Sequence, residues 1–511
     1  MKAASIETLL SIRRYIITVG VTSQSYLAFD LGAESGRAVL ARLEAGIVRM
    51  EEVHRFPNIP VSEAGTLRWD VDALWREIRD ALSRVSGTAL SGIAVDSWGV
   101  DYALLGADGQ LIENPYHYRD ARNAPAMAAA LERVPRDVIY AATGVQFIPI
   151  NTIYQLFAAV QVAPAPLEAA KRFVMIPDLF NYWLTGEVLC EYTDASTTQL
   201  INPRTRTWAT DLMERLGVPS RLAAPIVEAG TIIGPIQANV AAGPTMAGTP
   251  VIAAASHDTA SAVAAITARD GVAFISSGTW SLVGTEIDAP VLTPRAMQLN
   301  FSNEGGVEGS TRLLKNVMGL WLLQGCRRSW AQRNRQFSYG ELMDAASQEP
   351  AFRHLIDPDD ASFSNPDDMP DAIDKFCRRT DQPTPSSVGA YARTVFDSLA
   401  LKYRLVIRDL GSLIGRPISR VRVIGGGSQN ALLNQLTADA TGLPVIAGPV
   451  EATALGNVAV QMLATGAAAS LADARAIIDR SVPTTTFAPR DSDDWNKEAT
   501  RFQQYCGLLY A

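Results

Sequence analysis

The feature that most limits what this chain can become is a unit that occurs twice: a short apolar strand, a glycine turn and a second strand. The first copy is Tyr26-Leu27-Ala28-Phe29, then Asp30-Leu31-Gly32-Ala33-Glu34-Ser35-Gly36-Arg37, then Ala38-Val39-Leu40-Ala41. The second is Val272-Ala273-Phe274-Ile275, then Ser276-Ser277-Gly278-Thr279, then Trp280-Ser281-Leu282-Val283. Apolar runs bounded by glycine turns read as paired strands. Their recurrence at the start of two similar halves predicts a duplicated architecture, a cleft between the copies and a boundary near residues 265–271. A chain of 511 residues suggests roughly three domains on a prior of about 150 residues each. The repeat reduces these to two large lobes, residues 25–265 and 266–511, after an N-terminal extension of residues 1–24.

Strands and helices alternate elsewhere, so the fold class is α/β. Ser91 to Asp96 reads as a strand ending at Ser97-Trp98-Gly99-Val100-Asp101. Pro250 to Ala255 reads as another, followed by Ser256-His257-Asp258-Thr259 and an alanine-rich helix with Ser256 as its N-cap. Ala392, Val395, Phe396, Leu399, Ala400 and Tyr403 recur at helical spacing and predict an amphipathic helix packed on the core. Ser419 to Ile424 is a strand that runs into Gly425-Gly426-Gly427, and Gly448 to Asn457 leads into the last long helix. Lys315-Asn316 is expected at a helix start, and Leu355 to Pro370, acidic and proline-punctuated, in a surface loop.

Composition closes off several functions. With 48% hydrophobic and 19% charged residues the chain can bury a large core, so wholesale disorder is excluded. The net charge of -8 has the wrong sign for affinity built on neutralising nucleic-acid phosphates. An anionic ligand therefore needs a local trap. No apolar run is long enough to span a membrane. Lys2, Arg13 and Arg14 before Tyr15 to Val21 echo a signal peptide faintly, but Glu7 and the lack of a small-residue cleavage site argue against one. Cys190, Cys326, Cys377 and Cys506 lack C-x-x-C spacing and read as reduced thiols, not as a zinc site.

Three glycine loops, around residues 32–36, 276–279 and 425–428, sit at strand ends, where backbone N–H groups can approach phosphate oxygens without Cβ hindrance. Neither a Walker A sequence nor G-x-G-x-x-G is present. Asp30, before the first turn, can hold magnesium against nucleotide phosphates or can simply form the turn. Arg37 can neutralise phosphate or pair with an acidic neighbour. Asp258, in the first turn of a helix after a buried strand, should point into the crevice, and the helix N-terminus favours its ionised form. There it is either a base that accepts a hydroxyl proton during phosphoryl transfer or a helix-capping residue. Trp98 and Gly99, between Asp96 and Asp101, form either a sugar subsite with the carboxylates accepting hydroxyl protons, or a core tryptophan beside a tight turn.

These stretches, with Glu191-Tyr192-Thr193-Asp194-Ala195, Asn303-Glu304-Gly305-Gly306, Leu314 to Gln324, Gly425-Gly426-Gly427 and Val445 to Ala452, resemble the FGGY family of carbohydrate kinases. The similarity runs from about residue 25 to the C-terminal region. It implies an actin-like fold of two ribonuclease-H-type domains around a catalytic cleft. It also implies transfer of the ATP γ-phosphate to O1 of L-rhamnulose in L-rhamnose catabolism, with another ketose such as L-fuculose or L-xylulose, or a non-catalytic sugar or nucleotide sensor, as the rival readings. Position by position, the resemblance makes Asp258 the proton acceptor and puts Gly99, His257, Asp258, Thr259 and Asn316 near the sugar. Ala33, Glu34, Ser35, Gly36, Arg37, Thr279, Gln324 and Gly426 would contact ATP, and Asp30 would lie near magnesium. Glu34 departs from the family pattern, which usually has a small hydroxyl residue there, and a carboxylate beside phosphates repels unless it points away or pairs with a cation. The expected partners are small molecules, with no nucleic acid and no membrane, for a cytoplasmic monomer or small homo-oligomer.

Overall fold

The first glycine turn closes a hairpin because both flanking runs are apolar and buried. The computed structural model describes residues 23–490 and 493–507, so the readings made for residues 1–22 lie outside the described residues. Gln24–Leu31 (β1) pairs antiparallel with Ser35–Glu44 (β2), which returns through Ile47–Pro57 (β3). Gly92–Ser97 (β4) lies parallel on the other edge of β1. Ile232–Pro235 (β5) and Pro250–His257 (β6) complete a sheet of order β5-β6-β4-β1-β2-β3, with β6 parallel to β4 and β5 antiparallel at the edge. Every residue of β4 is buried, and so is all of β6 except Pro250, as continuous apolar runs in parallel strands covered on both faces should be.

The second glycine turn starts the same pattern again. Val272–Ser277 (β7) pairs antiparallel with Trp280–Ile287 (β8). Ser302–Gly305 (β9), Thr311–Met318 (β10), Arg420–Ile424 (β11), Val445–Ala447 (β12) and Thr485–Phe487 (β13) complete the order β9-β10-β8-β7-β11-β12-β13. Outward from β1 and from β7 the pairings agree: two antiparallel neighbours on one side, two parallel strands and an antiparallel edge on the other. The sheets are copies in topology, with β9 added to the second.

Asp258–Ala264 (α1) crosses between the sheets, and a helix of the second half crosses beside it. Along the second half run Trp321–Gln332 (α2), Val388–Ile414 (α3), Ala431–Thr441 (α4) and Ala452–Ala464 (α5). Val263 of α1 and Leu455 and Val458 of α5 share one apolar layer with Tyr26 and Ala28 of the first sheet and Phe274, Leu282 and Ile424 of the second. Polar bonds fix α5 to the first sheet: Asn457 Nδ2 donates to Asp96 Oδ2 at 2.6 Å, and Gln461 Nε2 to the Leu27 carbonyl at 3.2 Å. The spacing read for α3 holds, with Ala392, Val395, Phe396, Leu399, Ala400 and Tyr403 all buried.

Four local expectations are corrected. Lys315 and Asn316 lie inside β10, not at a helix start; β10 is held between β8 and β9, and the helix waits until Trp321, past Gly319. Ser256 is not an N-cap, because β6 runs on through His257, which occupies the cap position without a side-chain cap bond. The segment from Leu355 to Pro370 is not simply a surface loop: Leu355, Ile356 and Phe363 are fully buried. Its Asp357 and Asp359 clasp the buried Lys402 ammonium at 2.8 and 2.9 Å. Helix α5 is not the last long helix, since Leu471–Ser481 and Asp493–Tyr505 follow it. Among the described residues no helix is long and apolar enough to cross a membrane.

Candidate active site

The C-terminal ends of β1, β4 and β6 meet on the floor of a cleft between the sheets. Asp30 is the register partner of Asp96, and Ser97 that of both Leu31 and His257. Across the cleft stand the ends of β7 and β11. A cavity of about 450 Å³ opens there, lined by Asp30, Ala33, Glu34, Ser35, Arg37, Gly99, His257, Asp258, Thr259, Thr279, Asn316 and Gly426 among others. Of the residues singled out in the sequence, the fold thus brings nearly all into one cavity.

Two stand apart from it. Gly36 faces away, beneath the Phe56 ring, where a Cβ would come within 2.2 Å of a ring carbon. Gln324 sits one turn into α2, outside the cavity lining.

The glycine loops of the second sheet are set by contact. Gly425 has a φ of 80°, in the region that disfavours side chains, and a Cβ on Gly427 would fall 2.0 Å from the Ser277 hydroxyl. The two loops therefore nest against each other and present Thr279 and Gly426 together. Trp321 N donates to the Thr279 carbonyl at 3.0 Å, which ties α2 to the turn.

Charge on the floor is arranged in pairs. Arg37 donates through Nε and Nη2 to the same Asp30 oxygen, Oδ2, at 2.9 and 2.7 Å, and its remaining nitrogen meets Glu451. Burial alone would lower the Arg37 pKa; Asp30 and Glu451 raise it instead. The sequence left Arg37 open between phosphate and an acidic neighbour, and it has two acidic neighbours. Because both bonds land on Oδ2, Oδ1 is the Asp30 oxygen left for a cation or its waters. Glu34 is exposed on the rim, and its charge acts on Arg328, which stacks over Trp321 at 4.1 Å.

Asp258 opens α1 with its side chain one-third exposed, lining the cleft. Burial raises its pKa above 3.8 and Asp30 adds to the rise, against the opposing effects of His257 and a 3.1 Å bond from Thr259 Oγ1. The expected helix-end effect, favouring the anion, is thus outweighed by desolvation. His257 Nε2 stands 3.5 Å from Asp258 Oδ1.

The carboxylates flanking Trp98 do not serve as sugar acceptors. Asp101 is fully buried, and its oxygens take Trp69 Nε1 at 2.6 Å, Trp98 Nε1 at 3.0 Å, Tyr118 N at 3.2 Å and Gln155 Nε2 at 2.8 Å. It holds the indole in place from behind. Asp96 is also fully buried, bonded to Asn457 below the floor.

Sequence reading missed Gln146 and Glu304 as lining residues. Gln146 Oε1 accepts from Asn316 N at 2.8 Å and from its Nδ2 at 3.2 Å, so a residue of the first half aims the amide of the second. Nothing local marks Gln146, which lies in an irregular segment. Glu304 stands in Asn303-Glu304-Gly305-Gly306, beside two glycines, and that was its one signal.

The model described as "FGGY family of carbohydrate kinases, N-terminal domain" matches residues 25–265, and the model for the C-terminal domain of the same family matches 273–465. Rhamnulokinase of Bacteroides thetaiotaomicron is 45% identical, over 94% of this chain and 99% of its own. Rhamnulokinase of Yersinia pestis is 42% identical over the same shares. Among solved structures, gluconate kinase from Lactobacillus acidophilus superposes with a TM-score of 0.77 at 17% identity, covering 95% of this chain and 98% of its own. Plasmodium falciparum glycerol kinase with ADP gives 0.75 at 15%, with the same coverage. At those identities the structures speak to the fold, which is the actin-like, two-lobed architecture of sugar kinases.

Proposed function

The chain belongs to the FGGY family of carbohydrate kinases, and on that premise we propose that it transfers the γ-phosphoryl group of ATP to O1 of L-rhamnulose, giving L-rhamnulose 1-phosphate and ADP. The observation that carries this reading is the near full-length match to rhamnulokinases at 42 and 45% identity, joined to a cleft in which Asp258 faces paired glycine loops.

In this reading the nucleotide phosphates lie against the backbone of Ala33 to Ser35 and the Thr279 and Gly426 loops. Amides there act without a basic surface, which suits a chain of net charge -8. The ketose lies against Gly99, His257, Thr259 and Asn316, with Gln146 holding Asn316. Asp258 accepts the O1 proton as that oxygen attacks phosphorus, and the neutral alcohol becomes a nucleophile only in the transition state. Magnesium fits Asp30, whose Oδ1 is left by the Arg37 pair, and when bound it would neutralise charge on the transferred phosphoryl group. Closure of the two lobes keeps water from competing with the sugar. The compartment proposed is the cytoplasm.

The test is a ketose panel. Purified protein with magnesium and ATP should release ADP with the highest kcat/KM on L-rhamnulose, ahead of L-fuculose and L-xylulose, and Asp258→Ala should abolish it. Equal turnover by the Asp258→Ala variant and the wild type, or a higher kcat/KM on another ketose, overturns the assignment. Binding of ketose and nucleotide without ADP release would identify a sensor instead.

A further inference from the structure

Behind His257 lies a buried charge pair that the phosphoryl-transfer reading does not use. Glu304 on β9 and Arg312 on β10 are cross-strand partners, 4% and 0% exposed. Arg312 Nη2 lies 3.2 Å from Glu304 Oε2 and 3.2 Å from His257 Nδ1, while its Nε donates to the Gly305 carbonyl at 2.7 Å. His257 comes from the first sheet, so a pair on the second sheet reaches across to back a residue of the opposite wall.

The three protonation states of that imidazole differ sharply here. A guanidinium has donors only. If Nδ1 carried the proton, its N–H would face the Arg312 N–H at 3.2 Å, although Glu304 Oε2 is 3.4 Å away, and the Nε2 lone pair would face the Asp258 carboxylate at 3.5 Å. An imidazolium would satisfy Asp258 and Glu304 but set one cation against another. The neutral ring with its proton on Nε2 leaves the Nδ1 lone pair 3.4 Å from Glu304 Oε2, but there Nδ1 accepts from the closer Arg312 N–H at 3.2 Å, and Nε2–H points at Asp258 and the cleft. Burial would raise the Glu304 pKa, and the Arg312 guanidinium pulls it down, which keeps a counter-ion beside that buried cation.

We propose that Arg312 is a positioning residue that locks His257 as the neutral Nε2–H tautomer, with Glu304 as its buried counter-ion, so that the imidazole is a fixed hydrogen-bond donor beside Asp258. Its use in sugar binding rests on the kinase reading; the tautomer does not. The donor selects a ketose oxygen that offers a lone pair at that point, and it leaves acceptance of the O1 proton to Asp258.

The experiment is ¹⁵N NMR of histidine-labelled full-length protein at about pH 8, above the ordinary imidazole range near 6.5. Only four histidines are present, and His257→Asn identifies the signal by its loss. The wild type should show a single neutral ring protonated at Nε2. In Arg312→Gln the Nδ1–H form should grow in, because Glu304 is then the nearest partner of Nδ1, and kcat/KM on L-rhamnulose should fall roughly tenfold or more, as the loss of one buried hydrogen bond implies. Arg312→Lys, which keeps a cation for Glu304 but is too short to reach Nδ1, should shift the tautomer in the same direction and serves if the glutamine variant does not fold. An Nδ1–H ring or an imidazolium in the wild type overturns the proposal, as does an unchanged tautomer in the variants. Failure of the kinase reading would appear separately, as absence of ketose-dependent ADP release by the wild type.

Discussion

On the proposed reading Asp258 is the general base, and its surroundings set a pH dependence with a definite sign. A general base works only as the anion, and burial with Asp30 nearby raises its pKa above 3.8. Activity must therefore fall as pH drops through that raised value, with an acid limb in kcat/KM higher than an ordinary aspartate would give. Asp258→Asn, which keeps the shape and removes the base, should cost about 10²- to 10⁴-fold in kcat. What residual rate remains should lack the limb. A wild-type limb at or below the ordinary carboxylate value would remove the base from this position. The neighbourhood also shows how Glu34 is accommodated on the rim of the cleft: it is exposed, and the charge of Arg328 acts against its own.

At the scale of elements, what positions Asp258 is the crossing of α1 with α5. The two helices approach so closely that a Cβ on Gly456 of α5 would lie 1.6 Å from the Ser261 carbonyl oxygen of α1. No rotamer relieves a clash with backbone, so Gly456→Ala must push the helices apart. The expected cost is at least the 1–3 kcal/mol typical of overpacking, read as a lowered midpoint in urea. Because α1 begins at Asp258, kcat should drop along with stability; a variant of full stability and full activity would refute the crossing as described. This contact was illegible in the sequence, where Gly456 and Ser261 are remote from each other. The same limit explains the other gaps. The strands around Gly32 and Gly278 and the placement of Asp258 at a strand end were legible because apolar runs and turn glycines are local signals. Gln146 was not, since Asn316, its partner at the cleft, lies far along the chain and across the lobes, and Glu304 was not, since the register of β9 on β10 that sets it against Arg312 has no local signal. Lys315 and Asn316 were misplaced on a helix for a related reason: an apolar run has no fixed period until its neighbours, β8 and β9, are known.

Across the whole molecule, the first lobe has buried acids that the second sheet does not balance, and they make stability depend on pH in an unusual direction. Asp101 and Glu191 are both 0% exposed, and burial pushes each up to about 7, from 3.8 and 4.5. Between those unfolded values and about 7, the folded chain keeps protons that the unfolded chain has released. Stability then falls as pH rises through this window, by up to about 1.4 kcal/mol per pH unit for each proton so held. Their contribution is fully present below the unfolded values and lost above about 7. Acids held low by partners, such as Glu304, pull the opposite way as pH falls, so the total curve mixes both effects. The difference between wild type and variant isolates the term. Asp101→Asn should keep an acceptor for Trp69 and Trp98, while its amide replaces the oxygen to which Gln155 Nε2 donates, a cost that does not vary with pH. Relative to wild type, Asp101→Asn and Glu191→Gln should therefore gain stability steadily from about pH 4.5 to pH 7 in urea titrations, the window between the unfolded values and the raised values near 7. Parallel curves over that range would mean that both carboxyls are already ionised in the folded protein, held as anions by the donors around Asp101 and by Thr193 and Ser256 at Glu191.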